Sequence, residues 1–369
     1  MGDRISELPD CILSCILTTL SMKDLLKTSI LSKRWCNLWG LRRDLCFNIH
    51  NVLGSSEAEL LQTGYLMDVL NTSFMPPGFI FFGEPTMERH VNLDLSRNEF
   101  VNRVDQFVKN FKGTIIDSLL VNFSLDYQQS NNIDQWISFA IARGVRRINL
   151  LFLGKPYNLY FDVTRCNRYK FDFALFLENN ASTLNHLHLE NCCVRHPTNC
   201  DFLSFKNLRF LSLEETKLDE TLIESLLSNC PRLEELCLFR CEFTLSMPMI
   251  ASSSLCHLKV VRCYHVSKNN YKWELKLILL DCLKLTSLEL DFLEPNLSSE
   301  DEFDILYFNA PMLKSIKLSS SQEHELNLVA ALCATFFPEL EIMHVTTSYM
   351  VGHNMRAFLF LFFFITSIF

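Results

Sequence analysis

The residues of this chain that are best suited to chemistry lie between His186 and Cys200, in the order His-x-His-x3-Cys-Cys-x2-His-x3-Cys. Imidazole and thiolate groups are the ligands that zinc prefers in proteins. The spacing, however, matches neither a standard zinc finger nor a zinc ribbon. A repeat pattern described below accounts for Cys192, and it accounts for the pair Cys237 and Cys241 as well. The sequence therefore predicts no metal site and no other cofactor.

The sequence lacks the signatures of other common reactions. It contains no GxSxG turn for a serine nucleophile and no GxGxxG or GxxxxGK[ST] phosphate cradle, and the chain has 10 glycines. No pair of a general acid and a general base stands out. A cysteine nucleophile with a distant histidine stays open as an alternative, although no residue is singled out. An enzyme hidden in the repeats would need a deep pocket with convergent titratable groups. We predict that the chain is not an enzyme.

Length and composition favour two domains or an elongated repeat array, since 369 residues exceed one ordinary core. The net charge of -8 argues against a sequence-independent grip on nucleic acid, which requires a basic surface. The 15 cysteines follow no secretory signal, because the start MGDRISELPD is acidic. We therefore interpret them as reduced thiols of an intracellular protein.

The segment from Glu7 to Trp39 predicts three short helices. Pro9 suits the first turn of the first helix, whose apolar residues recur at helical spacing. Ser21 and Ser32 are suited to begin the second and third helices, and Gly40 is a natural stop. These helices carry more apolar surface than so small a unit can bury. The surplus either docks on another chain or covers the domain that follows.

The run ISELPDCILSCILTTLSMKDLLKTSILSKRWCNLW resembles an F-box of the plant F-box/leucine-rich-repeat (F-box/FBD/LRR-like) family, and its LSKRW–LW ending is highly specific. In that family the F-box docks on the Skp-type adaptor of SCF-class cullin–RING ubiquitin ligases. The resemblance implies the same partner here, and a location in the nucleus or the cytoplasm. The adaptor-binding positions that it implies are Leu8, Pro9, Ile12, Leu13, Ile16, Leu25, Ser29, Leu31, Trp35 and Trp39.

The rest of the chain repeats the pattern L-x-x-L-x-L. Successive copies begin 22 to 30 residues apart, near the leucine-rich-repeat period of about 20–29 residues. Weaker copies precede the series at Ile116 and Val145. The first positions of the regular copies are Leu184, Leu208, Leu233, Leu255, Leu285, Leu313 and Leu340. This periodicity predicts a solenoid in which the leucines point inward and stack on neighbouring repeats.

The ninth position of each repeat should be Asn or Cys. It is cysteine in three copies and Thr216 in a fourth, whereas Leu293 and Ser321 mark irregular units. Residues alternating with the leucines should point outward from a parallel sheet. Their mixed character is typical of a protein-recognition surface, although a generic solvated sheet face is the alternative. The predicted target-binding residues are His186, His188, Phe210, Glu214, Glu235, Phe239, His257, Lys259, Glu289 and Asp291.

The lead-in to the repeats and the end of the chain are irregular. The segment HVNLDLS (90–96) alternates like a strand, whereas 100–111 and 133–145 have helical spacing, the latter ending at Gly144. The tail AFLFLFFFITSIF (357–369) is too short for a spanning helix, which needs about 20 residues. It could be a short tail anchor, a strand buried under the last repeat, or sequence foreign to the fold from a truncated or misread gene end.

The sequence thus predicts an α/β protein. Residues 1–50 form a three-helix F-box, 51–89 an irregular lead-in, 90–350 a curved leucine-rich-repeat solenoid and 351–369 the apolar tail. The sheet should lie on the concave face of the solenoid and the helices on its convex face. The predicted function is that of a substrate-recognition subunit of an SCF-type ubiquitin ligase, with no membrane or nucleic-acid partner. The alternative is a non-degradative scaffold with an inert F-box.

Overall fold

The computed structural model describes residues 5, 7–20, 22–28, 39–54, 87–152, 168–176, 182–194, 205–218, 220–243, 249–266, 272–274, 279–291, 308–320, 339–351 and 354–363. The chain divides into two compact units. The first comprises residues 1–184 and 190–192, and the second comprises residues 185–189 and 193–369.

The helices of the first unit are α1 (Asp10–Thr19), α2 (Met22–Thr28), α3 (Ile49–Leu53), α4 (Met87–Asn110) and α5 (Ser130–Ile141). Helix α1 begins as predicted, because the Pro9 carbonyl accepts the N–H groups of Ile12 and Leu13 at 3.0 Å. The third predicted opening helix lies mostly outside the described residues. Its end, Trp39–Leu41, is a 3-10 turn.

Three parallel strands of the first unit begin the repeat array: β1 (Asp44–Asn48), β2 (Ser118–Asn122) and β3 (Arg147–Leu151). The inward positions of β2 and β3 are buried, as the weak copies at Ile116 and Val145 predict. Strand β1 was not predicted. It lies within the range assigned to the opening domain, and Arg42 occupies the place of its first leucine. A short strand, β4 (Lys170–Phe171), follows.

The prediction of a strand at 90–96 was wrong, since these residues belong to the 24-residue helix α4. Their alternation is short, and Met87, Glu88 and Arg89 directly before it favour the helix that continues through Phe100 and Val104. The helix predicted at 133–145 was confirmed as α5. The helix ends at Ile141, and Gly144 follows with a left-handed φ of 72°, as is usual after a helix.

The second unit contains a main sheet in the order β5-β7-β9-β12-β16-β18-β19-β20. The strands from β7 to β19 pair in parallel, and β20 is antiparallel to β19. Their bounds are β5 (His186–Glu190), β7 (Phe210–Glu214), β9 (Glu235–Phe239), β12 (His257–Val261), β16 (Ser287–Asp291), β18 (Ser315–Ser320), β19 (Ile342–Val351) and β20 (Asn354–Phe363).

Shorter elements connect these strands. Helix α6 (Glu220–Asn229) precedes β9. Strands β6 (Cys193–Val194), β8 (Lys217–Leu218), β10 (Glu242–Phe243) and β13 (Tyr264–Val266) form a second sheet with the antiparallel β14 (Lys272–Glu274). Strands β11 (Met249–Ala251), β15 (Leu279–Asp281) and β17 (Phe308–Asn309) form a third, parallel sheet.

The predicted α/β class with leucine-rich repeats is confirmed, because the main sheet is mostly parallel and its leucines face inward. In β9, for example, Leu236 is 1% exposed and Leu238 is 0% exposed. The first positions from Leu184 to Leu340 are buried in every copy. Residues 357–363 of the apolar tail lie in β20. The structure does not describe the side chains of this strand. Among the helices that the structure describes, none has the length and apolarity needed to cross a bilayer.

Candidate protein-interaction surfaces

Helix α1 presents an apolar stripe to solvent. Ile12 is 46% exposed and Ile16 is 37% exposed, while Leu13 and Leu17 are 0% exposed. Residues four apart lie on one face of a helix, so the two isoleucines are neighbours on the outer side and the two leucines are neighbours on the inner side. We define the docking stripe as Ile12 and Ile16. An exposed apolar stripe of this kind is suited to bind another chain, which would cover it.

The other predicted adaptor-binding residues divide between surface, interior and undescribed positions. Pro9 is exposed and Leu8 is half-buried beside the docking stripe. Leu13 and Leu25 are each 0% exposed, so the predicted direct contact with an adaptor needs correction for these two. Helical spacing directs these two side chains into the core of the chain itself. Ser29, Leu31 and Trp35 lie outside the described residues, as does the side chain of Trp39.

A buried arginine connects this segment to the repeat sheet. Arg42 is 2% exposed; its Nη1 donates to the Leu20 carbonyl at 3.4 Å and its Nε to the Asp44 carbonyl at 3.0 Å. Burial lowers the pKa of Arg42, although Cys46 and Asp44 act in the opposite direction. Because the same guanidinium contacts the chain after α1 and the first strand, it fixes the segment that bears the docking stripe against the sheet.

The second candidate surface is the outward side of the main sheet, which we call the outward face. All ten predicted target-binding residues lie on its strands, and each is half-buried or exposed between buried leucines. Strand pairing aligns Phe210 with Glu235 and His257, and Glu214 with Phe239. It also aligns Lys259 with Glu289 and Lys317. Sequence alternation therefore predicted the placement of these residues correctly, while their binding role stays a prediction.

The outward face is aromatic on strands β5 to β9. The rings of His186 and Phe210 stack with centroids 4.1 Å apart and planes at 3°. Phe239 lies under the guanidinium of Arg240, 5.0 Å from the ring centroid. Nearby, His188 Nε2 lies 3.8 Å from Glu214 Oε2 and has no hydrogen-bond partner among the residues that the structure describes. Half-buried aromatic rings near polar groups are typical of binding hot spots.

The outward face is ionic on strands β12 to β18. Glu289 lies between two lysines, with Lys259 Nζ at 3.1 Å and Lys317 Nζ at 2.8 Å. Burial acts to raise the pKa of Glu289, but the hydrogen bonds and charges of the two lysines outweigh it and lower that pKa. Arg262 and Asp291 form a further pair at 3.4 Å. The face therefore offers aromatic and charged contacts in separate areas.

The ninth-position residues form a regular turn after each strand. Cys192, Thr216, Cys241 and Cys263 are all buried. Each donates to the carbonyl two residues earlier, as Thr216 Oγ1 does to Glu214 at 3.0 Å. The residue before each has positive φ, between 50° and 54°. The buried side chain thus satisfies a carbonyl at a turn where the backbone is strained, by about 1–2 kcal/mol per residue.

Three described cysteines of the repeats are poor nucleophiles. Burial raises the pKa of Cys230 to about 12 and that of Cys282 to about 11. Burial, with help from Glu235, raises the pKa of Cys237 to about 11. A thiol in this state carries little thiolate at neutral pH. Among the described residues, no three His, Cys, Asp or Glu side chains could hold a metal ion; His196 and Cys200 lie outside that set.

Two family models match the chain. Residues 5–46 match the F-box domain. Residues 107–367 match the family described as "At1g61320/AtMIF1, LRR domain". The first match contains the docking stripe, and the second contains every strand of the outward face. Neither family model describes an enzyme.

Curated relatives from Arabidopsis thaliana have the same domain names. FBD-associated F-box protein At5g27750 is 29% identical over 242 residues, which is 64% of this chain and 42% of the relative. F-box/LRR-repeat protein At3g03360 is 26% identical over 269 residues, covering 71% and 43%. F-box/FBD/LRR-repeat protein At1g78750 is 26% identical over 247 residues, covering 63% and 41%. The chain spans less than half the length of each of these three relatives.

Proposed function

Because this chain belongs to a plant F-box/LRR family, we propose that it is a substrate-receptor subunit of an SCF-type cullin–RING ubiquitin ligase. The observation that carries the proposal is the docking stripe, since two isoleucines are exposed within the segment that matches the F-box. F-box domains generally bind Skp-type adaptors. The proposal includes a location in the nucleus or the cytoplasm.

The adaptor is proposed to cover the docking stripe together with Pro9 and Leu8. Burying a large aliphatic side chain contributes about 1.5–3 kcal/mol. Ile12 is 46% exposed and Ile16 is 37% exposed, so covering the remaining surface of both supplies enough free energy to change affinity by about tenfold or more. Leu13 and Leu17 contribute indirectly, because they hold α1 in place from the inner side.

The outward face is proposed to hold the target protein. Aromatic side chains such as Phe210 and Phe239 supply apolar contact, and the charged groups on β12 to β18 supply orientation. The chain itself would perform no bond chemistry. Its mechanism is proximity, because a target held in the ligase has a high effective concentration near the ubiquitin-carrying enzyme.

A pull-down with a Skp-type adaptor tests the docking step. The double variant Ile12→Asp/Ile16→Asp should lose co-purification, because it places two charges in an apolar interface. The matched control is Ile115→Asp, since Ile115 is 51% exposed but lies outside the F-box match. Equal adaptor recovery by all three proteins would refute docking through the stripe.

A second pair of changes tests the target surface. Phe210→Asp/Phe239→Asp should retain the adaptor and lose the proteins captured by the wild type when the proteasome is blocked. Retention of those proteins would contradict the role given to these rings. A ubiquitination assay on the captured proteins then separates a ligase receptor from a non-degradative scaffold, which would bind them without modifying them.

A further inference from the structure

Two cysteines flank the docking stripe on helix α1. Cys11 and Cys15 are both exposed, and each immediately precedes one of the exposed isoleucines, Ile12 and Ile16. The four residues form two exposed pairs one helical turn apart. A thiol reagent that reaches either sulfur therefore also reaches the surface that the adaptor is proposed to cover.

This exposure distinguishes the pair from the other cysteines that the structure describes, all of which are buried or half-buried. Cys192, Cys241 and Cys263 donate to turn carbonyls inside the repeats. Burial also raises the pKa of Cys230 and Cys237. Within the described part of the chain, Cys11 and Cys15 are therefore the positions that a reagent in solution meets first.

The helix prevents the two cysteines from protecting each other by pairing. Side chains four residues apart on a helix have Cβ atoms about 5–6 Å apart, whereas a disulfide needs about 3.5–4.5 Å. A Cys11–Cys15 disulfide would require α1 to distort. An external disulfide that reacts with either sulfur should consequently leave a stable mixed disulfide rather than an internal bridge.

We propose that Cys11 and Cys15 form a modification site for low-molecular-weight disulfides of the glutathione type, and that a mixed disulfide there blocks adaptor docking. The thiolate of either cysteine attacks one sulfur of the reagent. A cysteine–glutathione S–S bond forms, the S–S bond of the reagent breaks, and glutathione leaves as a thiolate that takes up the proton lost by the cysteine. The inference rests on the proposed function, because it concerns the same docking stripe.

The adduct and the adaptor must compete. Bound glutathione places a charged tripeptide over the docking stripe, so the apolar contacts of Ile12 and Ile16 cannot form. By linkage, a bound adaptor should protect the two thiols to the same extent that modification weakens binding. The site would thus make receptor assembly dependent on the ratio of reduced to oxidised thiols around the protein.

The experiment uses the full reduced chain, one portion of which is treated with glutathione disulfide and desalted before an untreated Skp-type adaptor is added. We expect treated protein to bind at least about tenfold more weakly, dithiothreitol to restore binding, and peptide mass spectrometry to locate glutathione on Cys11 or Cys15. Cys11→Ser/Cys15→Ser should bind equally with and without treatment. Unchanged binding by protein that carries the adduct would overturn the inference, as would glutathione located only elsewhere.

A second measurement decides the matter if the double serine variant binds poorly when reduced. In the wild type, saturating adaptor should slow alkylation of Cys11 and Cys15 by iodoacetamide at least about tenfold and leave alkylation of Cys237 unchanged. Equal rates with and without adaptor would overturn the inference. Failure of the untreated, reduced wild type to bind any adaptor would instead refute the proposed function, so the two failures are distinguishable.

Discussion

In helix α1, neighbouring apolar residues have opposite surroundings: Ile12 is 46% exposed, whereas Leu13 is 0% exposed. In strand β9 the apolar positions Leu236 and Leu238 are both buried, and Cys237 between them is half-buried. The helix therefore retains apolar surface beyond what its own fold requires, while the strand uses its leucines entirely in stacking.

The largest expected effect is on stability. Leu236→Ala and Leu13→Ala should each lower the free energy of unfolding by about 2–5 kcal/mol, because each leaves a cavity in a packed interior. Ile12→Ala should change it by no more than about 0.5 kcal/mol, as is usual for surface positions. Urea denaturation followed by circular dichroism measures all three.

The same three variants should rank differently in adaptor binding. Ile12→Ala should weaken the complex, whereas Leu236→Ala should leave the affinity of the folded fraction unchanged. If Ile12→Ala destabilises the chain as strongly as Leu13→Ala does, the docking stripe is part of the core and the contrast between the two regions disappears.

A smaller effect is expected at the turns. Cys241→Ala removes a thiol that donates to the Leu213 carbonyl at 3.1 Å, and should lower the free energy of unfolding by about 1–2 kcal/mol. Cys241→Ser should retain much of that stability, because Thr216 fills the equivalent place with a hydroxyl donor. Denaturation midpoints of the two variants provide the comparison. Equal losses would show that sulfur volume, and not hydrogen bonding, matters there.

The smallest effect is expected on the outward face. Glu289→Gln should lower the free energy of unfolding by about 0.5 kcal/mol at pH 7, since its partners Lys259 and Lys317 are largely exposed. The lysines lower the folded-state pKa of Glu289 despite its partial burial. The stabilisation that Glu289 gives to the folded state is therefore complete when the pH is above its unfolded-state pKa, about 4.3. It is lost as the pH falls through the folded-state pKa.

Denaturation of the wild type and the variant at pH 7 and near pH 3 measures this dependence. The control is Glu224→Gln on α6, where Glu224 is exposed. A difference between the wild type and Glu289→Gln that stays constant with pH would show that charge is not its source.

Sequence periodicity predicted the repeat strands well, because each leucine has one structural role and a spacing that a strand must preserve. It missed β1 because Arg42 stands where a leucine was expected, and an arginine can be buried only when carbonyls such as those of Leu20 and Asp44 receive its N–H groups. No sequence pattern reveals such partners. Helix α4 was partly mistaken for a strand because seven alternating residues are too few to separate the two periods.

The sequence predicted the outward face more accurately than the exposure of the adaptor-binding residues, for a related reason. Strand alternation assigns each residue to one of two sides, so the outward face followed directly from the sequence. A helix divides its residues more gradually, and the predicted adaptor set therefore mixed exposed Ile12 with buried Leu25. The exposure of Cys11 and Cys15 likewise required the helix to be positioned against its neighbours.

Four residues have a left-handed backbone: Asn191, Glu215, Arg240 and Arg262. Their position has a consequence for how the sequences of such chains diverge. Each of these residues directly follows a strand and lies in a turn. The four turns share the same left-handed backbone geometry, although the side chains at this position differ. Segments beyond these turns can therefore lengthen or shorten without shifting the strand register. A lineage can in this way change the lengths of the loops beyond these turns while the strands keep their positions.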